Sequence, residues 1–174
     1  VGDYLAESDA DALRQAREVV GKLRWDRAAQ AATKRRPRYD AEDLLGIVST
    51  DYRKPYDVRE VIARIVDDSD FTEFKVGYGL HTVCGHAEIE GREVGIIGNN
   101  GPIDAQGATK AAQFIQLCCQ SQTPLLFLQN TTGFMVGVDA ESSGIVKHGS
   151  KLIQAVTNAS VPKITIQIGA SFGA

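Results

Sequence analysis

The chain has 174 residues, of which 43% are hydrophobic and 24% charged, and its formal net charge is −3. Those proportions are those of a soluble globular domain with a packed core, and they exclude a coiled coil or a disordered chain. The negative balance offers no attraction to nucleic acid or to an anionic membrane, and no apolar run approaches the ~20 residues that cross a bilayer.

The first predicted element is a helix from Ser8 to about Trp25. Ser8 can cap it, Asp9 and Asp11 suit the positive end of its dipole, and Leu13, Ala16, Val20 and Leu23 recur at helical spacing. The basic run Lys34-Arg35-Arg36-Pro37-Arg38 follows. Such a run can contact phosphate, but a solvated linker is its commoner role, and it divides a short piece, 1–38, from the main domain, 39–174. A second helix begins at Asp57. With Glu60 this residue makes an acidic version of the capping box, ahead of an apolar stripe of Val58, Val61, Ile62, Ile65 and Val66.

Beyond Asp70 the pattern changes to short apolar strands. His81 to Ile89 and Arg92 to Gly98 read as two strands joined at Glu90-Gly91. The loop "NNGPIDAQG" leads into a helix from about Ala108 to Gln120, with Ala108, Ala111, Ala112, Ile115, Cys118 and Cys119 on one face. "LLFLQ" after Pro124 reads as a strand buried on both faces. A loop from Asn130 to Gly137, a helix from Ile145 to Ala159, the strand "KITIQI" and a final "GASFGA" complete the chain. Alternating strands and helices at this spacing predict an α/β domain with a partly parallel sheet. "LLFLQ" and "KITIQI" should be parallel neighbours, with the intervening helix as a right-handed crossover.

No G-x-S-x-G elbow, Walker loop or H-E-x-x-H motif occurs. The three cysteines, Cys84, Cys118 and Cys119, have no C-x-x-C spacing, which argues against a disulfide framework and a zinc site. His81 and His86 fall on opposite faces of a half-exposed strand, and His148 lies near the start of a helix. What remains is a set of glycine-bearing loops after apolar strands: Gly98 to Gly107, Asn130 to Gly137, and Gly169 to Ala174. Ligands of open α/β sheets gather at the carboxyl ends of the strands. Backbone N–H groups there can stabilise a developing oxyanion. Spacing alone leaves that role and simple chain turning equally open.

The segments "YRKPYDVREVIARIVDDSDFTEFK", "GNNGPIDAQGATKAAQFIQLCCQ", "TPLLFLQNTTGFMVG", "GIVKHGSKLIQAV" and "VPKITIQIGASFGA" resemble, in order, successive blocks of the biotin-dependent carboxyltransferases. They cover nearly everything from Asp51 onward, and "VGDYLAESDADAL" resembles the tail of the family's acyl-CoA-binding half. The resemblance implies a crotonase-like fold of ββα units, with 39–174 as the first part of the biotin-side half. It implies that carboxybiotin, on a separate carrier, delivers the carboxyl group to an acyl-CoA and that biotin serves as the base. It further implies a biotin carboxylase and carrier partner, and a homo-oligomer whose active sites lie between subunits. Apolar surface is then expected around the Asn130–Gly137 and Gly98–Gly107 loops.

Carried over by residue, Gly173 and Ala174 match the family's catalytic oxyanion turn facing biotin. Thr132, Gly133, Phe134, Met135, Val136 and Gly137 match the biotin-binding loop, with Phe134 and Met135 as wall residues. No metal site is implied. The forms "NTTGFMVG" and "KHGSKLIQAV" are similar to the 3-methylcrotonyl- and geranyl-CoA branch rather than the propionyl/acetyl branch. A biotin-dependent acyl-CoA decarboxylase subunit and a non-catalytic scaffold are the rival readings. The chain opens on Val1 rather than Met, which suggests a fragment or processed product, and a piece lacking both flanks of the family's subunit should not catalyse alone. The compartment expected is the bacterial cytoplasm or the mitochondrial matrix.

Overall fold

The computed structural model describes residues 2–22, 34–51 and 53–172. Five strands form one sheet in sequence order: β1 (Phe71–Phe74), β2 (Thr82–Ile89), β3 (Arg92–Asn99), β4 (Leu125–Thr131) and β5 (Lys163–Ser171). β2 is antiparallel to both β1 and β3, whereas β3, β4 and β5 are parallel to one another. Leu125 pairs with Lys163 and Leu128 with Ile166, so "LLFLQ" and "KITIQI" are parallel neighbours as expected.

The helices are α1 (Asp9–Lys22), α2 (Leu44–Ile47), α3 (Val58–Ile65), α4 (Ala105–Ser121), α5 (Val138–Ser142) and α6 (Ile145–Asn158). Asp57 caps α3, accepting from the Arg59 amide at 3.0 Å, but the reciprocal half of the expected capping box is absent. Glu60 turns instead to Arg64, at 2.7 Å, because an ion pair one turn along the helix competes for its carboxylate. Helix α4 starts at Ala105 rather than Ala108, since the Asp104 carboxylate accepts from the Gly107 amide and caps it. Strand β1, which sequence periodicity did not reveal, forms by pairing Phe71 to Phe74 with Ala87 to Cys84.

Alternate residues of the strands feed two cores. Val58, Val61, Ile62 and Val66 cover one face of the sheet, meeting Val83, Ile96, Leu126 and Leu128. On the other face α4 and α6 bring Ala108, Ala111, Phe114, Ile115, Leu152 and Ala155 against Cys84, Ile97 and Leu125. Fully burying a side chain such as Ile62 or Phe114 contributes ~1.5–3 kcal/mol, and both are at most 1% exposed.

The predicted stripe of α1 behaves differently. No residue of that helix is buried, and Leu13 and Val20 are 68% and 55% exposed. Its predicted continuation to Trp25, with Leu23, lies outside the described residues.

Candidate functional site

The parallel strands β3 and β4 end side by side, with Gly98 opposite Leu128. Two of the predicted loops therefore leave the sheet together, and backbone hydrogen bonds stitch them. The Ile103 amide donates to the Gly133 carbonyl at 2.9 Å, and the Met135 amide donates to the Ile103 carbonyl at 2.9 Å. The Thr131 hydroxyl adds a cross-link, donating to the Gly101 carbonyl at 3.0 Å and accepting from the Gly133 amide at 3.1 Å. This geometry needs φ of +112° at Gly133, which a side-chain-bearing residue adopts only under strain.

Within the loop the predicted biotin-binding residues separate into an inner and an outer set. Phe134 turns inward, over Gly149 of α6, and packs against both the α4–α6 core and the small cluster of Ala105, Ala140 and Ile145. Thr132, Met135, Val136 and Gly137 face outward. Val136, Val138 and Val146 are 82%, 83% and 76% exposed, so the expected apolar surface around this loop is there.

Beneath Phe134 lies a cavity of about 340 Å³. Its walls include Ile103, Phe127, Leu152 and Val156, while Thr82, Asn99 and Thr131 contribute polar atoms from the strands. Those three residues are at most 9% exposed, and the Thr82 hydroxyl oxygen has no hydrogen-bond partner among the described residues. A mostly apolar space with a few fixed polar groups suits a compact ligand with one polar edge.

The third loop continues β5. The Asn130 side chain accepts from the Ala170 amide at 3.0 Å, Gln129 donates to Ser171 at 2.9 Å, and Tyr56 donates to the Ile168 carbonyl at 2.5 Å. Asn130 crosses so close to Gly169 that a Cβ there would collide with its oxygen. These braces aim the end of β5 toward the same loops. The predicted oxyanion residues Gly173 and Ala174 come next but lie outside the described residues.

Other reactive groups have been made quiet. Burial pushes the Cys118 thiol up to about 12 and Cys84 higher still. His148 Nδ1 is 2.9 Å from the Thr109 hydroxyl, whose own hydrogen goes to the Ala105 carbonyl. Nδ1 must then donate, which ties the ring to α4. His86, expected on a half-exposed strand, is partly buried, its ring tilted against Phe114 with centres 4.9 Å apart, and burial lowers its pKa. His81 precedes β2 rather than belonging to it. Among the described residues no group of His, Cys, Asp or Glu could hold a metal ion, and no helix is long and apolar enough to cross a membrane.

Sequence reasoning did not single out Thr82, Gln129 or Tyr56, and it put Asn99, Asn130 and Thr131 in glycine loops, whereas they close strands β3 and β4. Each is an ordinary polar residue whose role arises only when distant strands meet. The available signal was position, since Gln129 to Thr131 span the junction between an apolar strand and a glycine loop.

The glycine loops, stitched at parallel strand ends beside an apolar cavity, belong to a mixed α/β domain of crotonase-like fold. The profile of the carboxyl transferase domain family matches residues 1–174, and the chain belongs to that family. It is 49% identical over 192 residues to the probable mitochondrial methylcrotonoyl-CoA carboxylase beta chain of Drosophila melanogaster, covering 100% of this chain and 33% of that protein. The crystal structure of the Pseudomonas aeruginosa geranyl-CoA carboxylase beta subunit superposes with a TM-score of 0.79 at 61% identity, covering 98% of this chain and 33% of that one. A hexameric transcarboxylase 12S structure superposes with a TM-score of 0.82 at 37% identity, over 94% of this chain and 33% of that one. The chain thus spans about a third of the length of these relatives.

Proposed function

We propose that this chain forms part of the carboxyltransferase component of a biotin-dependent acyl-CoA carboxylase. Residues 1–38 belong to the end of the acyl-CoA side and 39–174 to the start of the biotin side. The observation that supports this reading best is the stitched pair of loops over the Phe134 cavity, at the strand ends of a carboxyl transferase domain.

The donors present fit biotin, whose fused rings have apolar faces and a urea edge. Phe134, Ile103 and Val156 offer the apolar wall, and the orphan Thr82 hydroxyl and Asn99 offer polar partners. Carboxybiotin, held on a separate carrier, would supply both the carboxyl group and the base. The residues of this chain do the rest by placement. Phe134 and Met135 exclude water, the Ile103–Phe134 bridge fixes the loops, and the oxyanion role falls to Gly173 and Ala174. The cofactor carries the hard chemistry, so no histidine or thiol of this chain needs to act.

Assembly follows from the same surface. The valines exposed around the loop are covered by a second subunit, and the carboxylase partner docks its carrier there. The acyl-CoA is geranyl-CoA or 3-methylcrotonyl-CoA. Identity of 61% to the geranyl-CoA enzyme makes geranyl-CoA the first to try.

The test is carboxyl transfer from carboxylated carrier in the assembled enzyme. Phe134→Ala should raise KM for the carrier several-fold and leave KM for the acyl-CoA unchanged. Unchanged kinetics toward the carrier would remove the cavity from the biotin site.

A further inference from the structure

Helix α4 carries a lysine where its environment calls for an apolar side chain. Lys110 is 0% exposed, as are Ala108 and Phe114 beside it on the helix. Its ammonium has no hydrogen-bond partner among the described residues, and its ion-pair contact, to Glu73 Oε1, is long at 3.8 Å. Withdrawing an ammonium from water costs several kcal/mol, and replacing buried ions by apolar groups of similar volume is often neutral or stabilising. Burial accordingly holds the Lys110 pKa below the usual lysine range, against the pull of Glu73 and Asp104. A methionine would fill the slot without that cost, so stability does not account for the lysine.

Its contacts lead back to the site. Glu73 is gripped by Arg59 through two bonds of 2.7 and 2.6 Å. Arg59 reaches the Asp57 carboxylate at 3.2 Å, and Asp57 accepts from the Asn100 side chain at 2.9 Å. Asn100 in turn accepts from the Val58 amide at 2.7 Å. This polar chain begins on α4, crosses β1 and α3, and ends in the loop between β3 and α4. Asn100 anchors the front of that loop and Lys110 the helix behind it. Ile103, which carries the bridge to Phe134, lies between the two anchors. Ala111 rather than Lys110 lines the cavity, so the ammonium touches no ligand there.

We propose that Lys110 is a positioning residue, which through Glu73 and Arg59 fixes the Gly98–Gly107 loop and the Ile103–Phe134 bridge in the register that carboxyl transfer requires. The functional half of this statement rests on the carboxyltransferase reading; the structural half does not.

Lys110→Met tests both halves in the assembled enzyme. Amide exchange at Ile103 and Met135 should accelerate by about tenfold while core amides and Tm hold. The kcat should fall by roughly tenfold or more, with KM for acyl-CoA unchanged. A lysine that merely filled space would leave both readouts of the folded enzyme alone, with Tm unchanged or raised. Should Lys110→Met fail to fold, Arg59→Gln breaks the same chain at a partly exposed side chain and should give the same two changes. Unaltered exchange at Ile103 and Met135 in a folded variant overturns the proposal. Faster exchange with undiminished kcat supports the positioning role and overturns instead the placing of this loop in the active site.

Discussion

The two faces of the sheet are closed in different ways. On the α3 face Val58, Ile62, Val66, Ile96 and Leu128 are each at most 1% exposed, and the packing is sealed. On the opposite face α4 packs as tightly through Phe114 and Ile115, but toward α6 the contacts part to leave about 340 Å³. One strand serves both regimes, since β4 sends Leu126 and Leu128 to the sealed side and Leu125 and Phe127 to the other. The sealed face makes the strand ends rigid. The open face then uses that rigidity, because loops placed on a fixed sheet can hold a ligand within tenths of an ångström.

If this division is right, damage on the open side should affect chemistry and damage on the sealed side should affect stability. The largest effect is expected at the proposed oxyanion turn. Gly173→Val should distort the turn, and losing one such donor lowers turnover by ~10²–10³-fold, about 3–4 kcal/mol. Thermal stability and acyl-CoA affinity should barely move, since the proposal assigns the acyl group to the other half of the site. Full carboxyl-transfer activity in this variant would show that the turn is misassigned.

On the sealed side Ile62→Ala should lower unfolding free energy by ~2–5 kcal/mol, the range for large-to-small core changes. The same kind of truncation at Val156, which borders existing empty space and is only partly buried, should cost less than about 1.5 kcal/mol. Paired thermal melts decide the matter. Equal losses at the two positions would mean that the faces are packed alike.

Much of this arrangement was legible in the sequence, and what was not has physical causes. Helices α3, α4 and α6 show themselves by period, β4 by a continuous apolar run, and β2, β3 and β5 by short apolar stretches bounded by turn residues. Strand β1 does not. "FTEF" is too short to show a period, and only its pairing with β2 makes it a strand. The α1 stripe was visible but has no core to meet, because periodicity reports an apolar face and not its partner. Phe134, expected as a wall residue of the loop, packs into the core and also borders the cavity. Lys110 escaped notice for the opposite reason: a lysine inside a helix reads as solvated until its neighbours are known. The proposed biotin loop and oxyanion turn rest on family resemblance, since glycines after a strand look the same whether they turn the chain or bind a ligand.

Thiol chemistry sharpens the contrast at smaller scale. Cys84 and Cys118 sit in the tight part of the α4 core, and burial raises both pKa values, that of Cys118 to about 12. Both raised values lie above the ordinary thiol value of 9.0, so the folded state resists ionisation that the unfolded chain permits. The associated stability is fully present below pH 9.0 and is lost as pH rises toward about 12. Alkylation at neutral pH should therefore label Cys119, which is half-buried, and spare the other two. Rapid neutral labelling of Cys118 would mean that the α4 side opens far more readily than its packing implies.

The smallest effect is expected at His148, although it is the titratable side chain that a search for a base would choose first. Its ring sits one turn into α6, near the loop, and its Nδ1–H is committed to Thr109. Replacing it with Ala removes one hydrogen bond between α4 and α6, a loss of about 0.5–1.5 kcal/mol in stability. Turnover should stay within about twofold of the parent, because the proposed base belongs to the cofactor and the ring is held by α4. The pH–rate profile should likewise keep its shape. A collapse of kcat in a folded His148→Ala enzyme, or the loss of one limb of the profile, would mean that the open face contains a general base after all. The division of labour between protein and cofactor would then have to be redrawn around this helix.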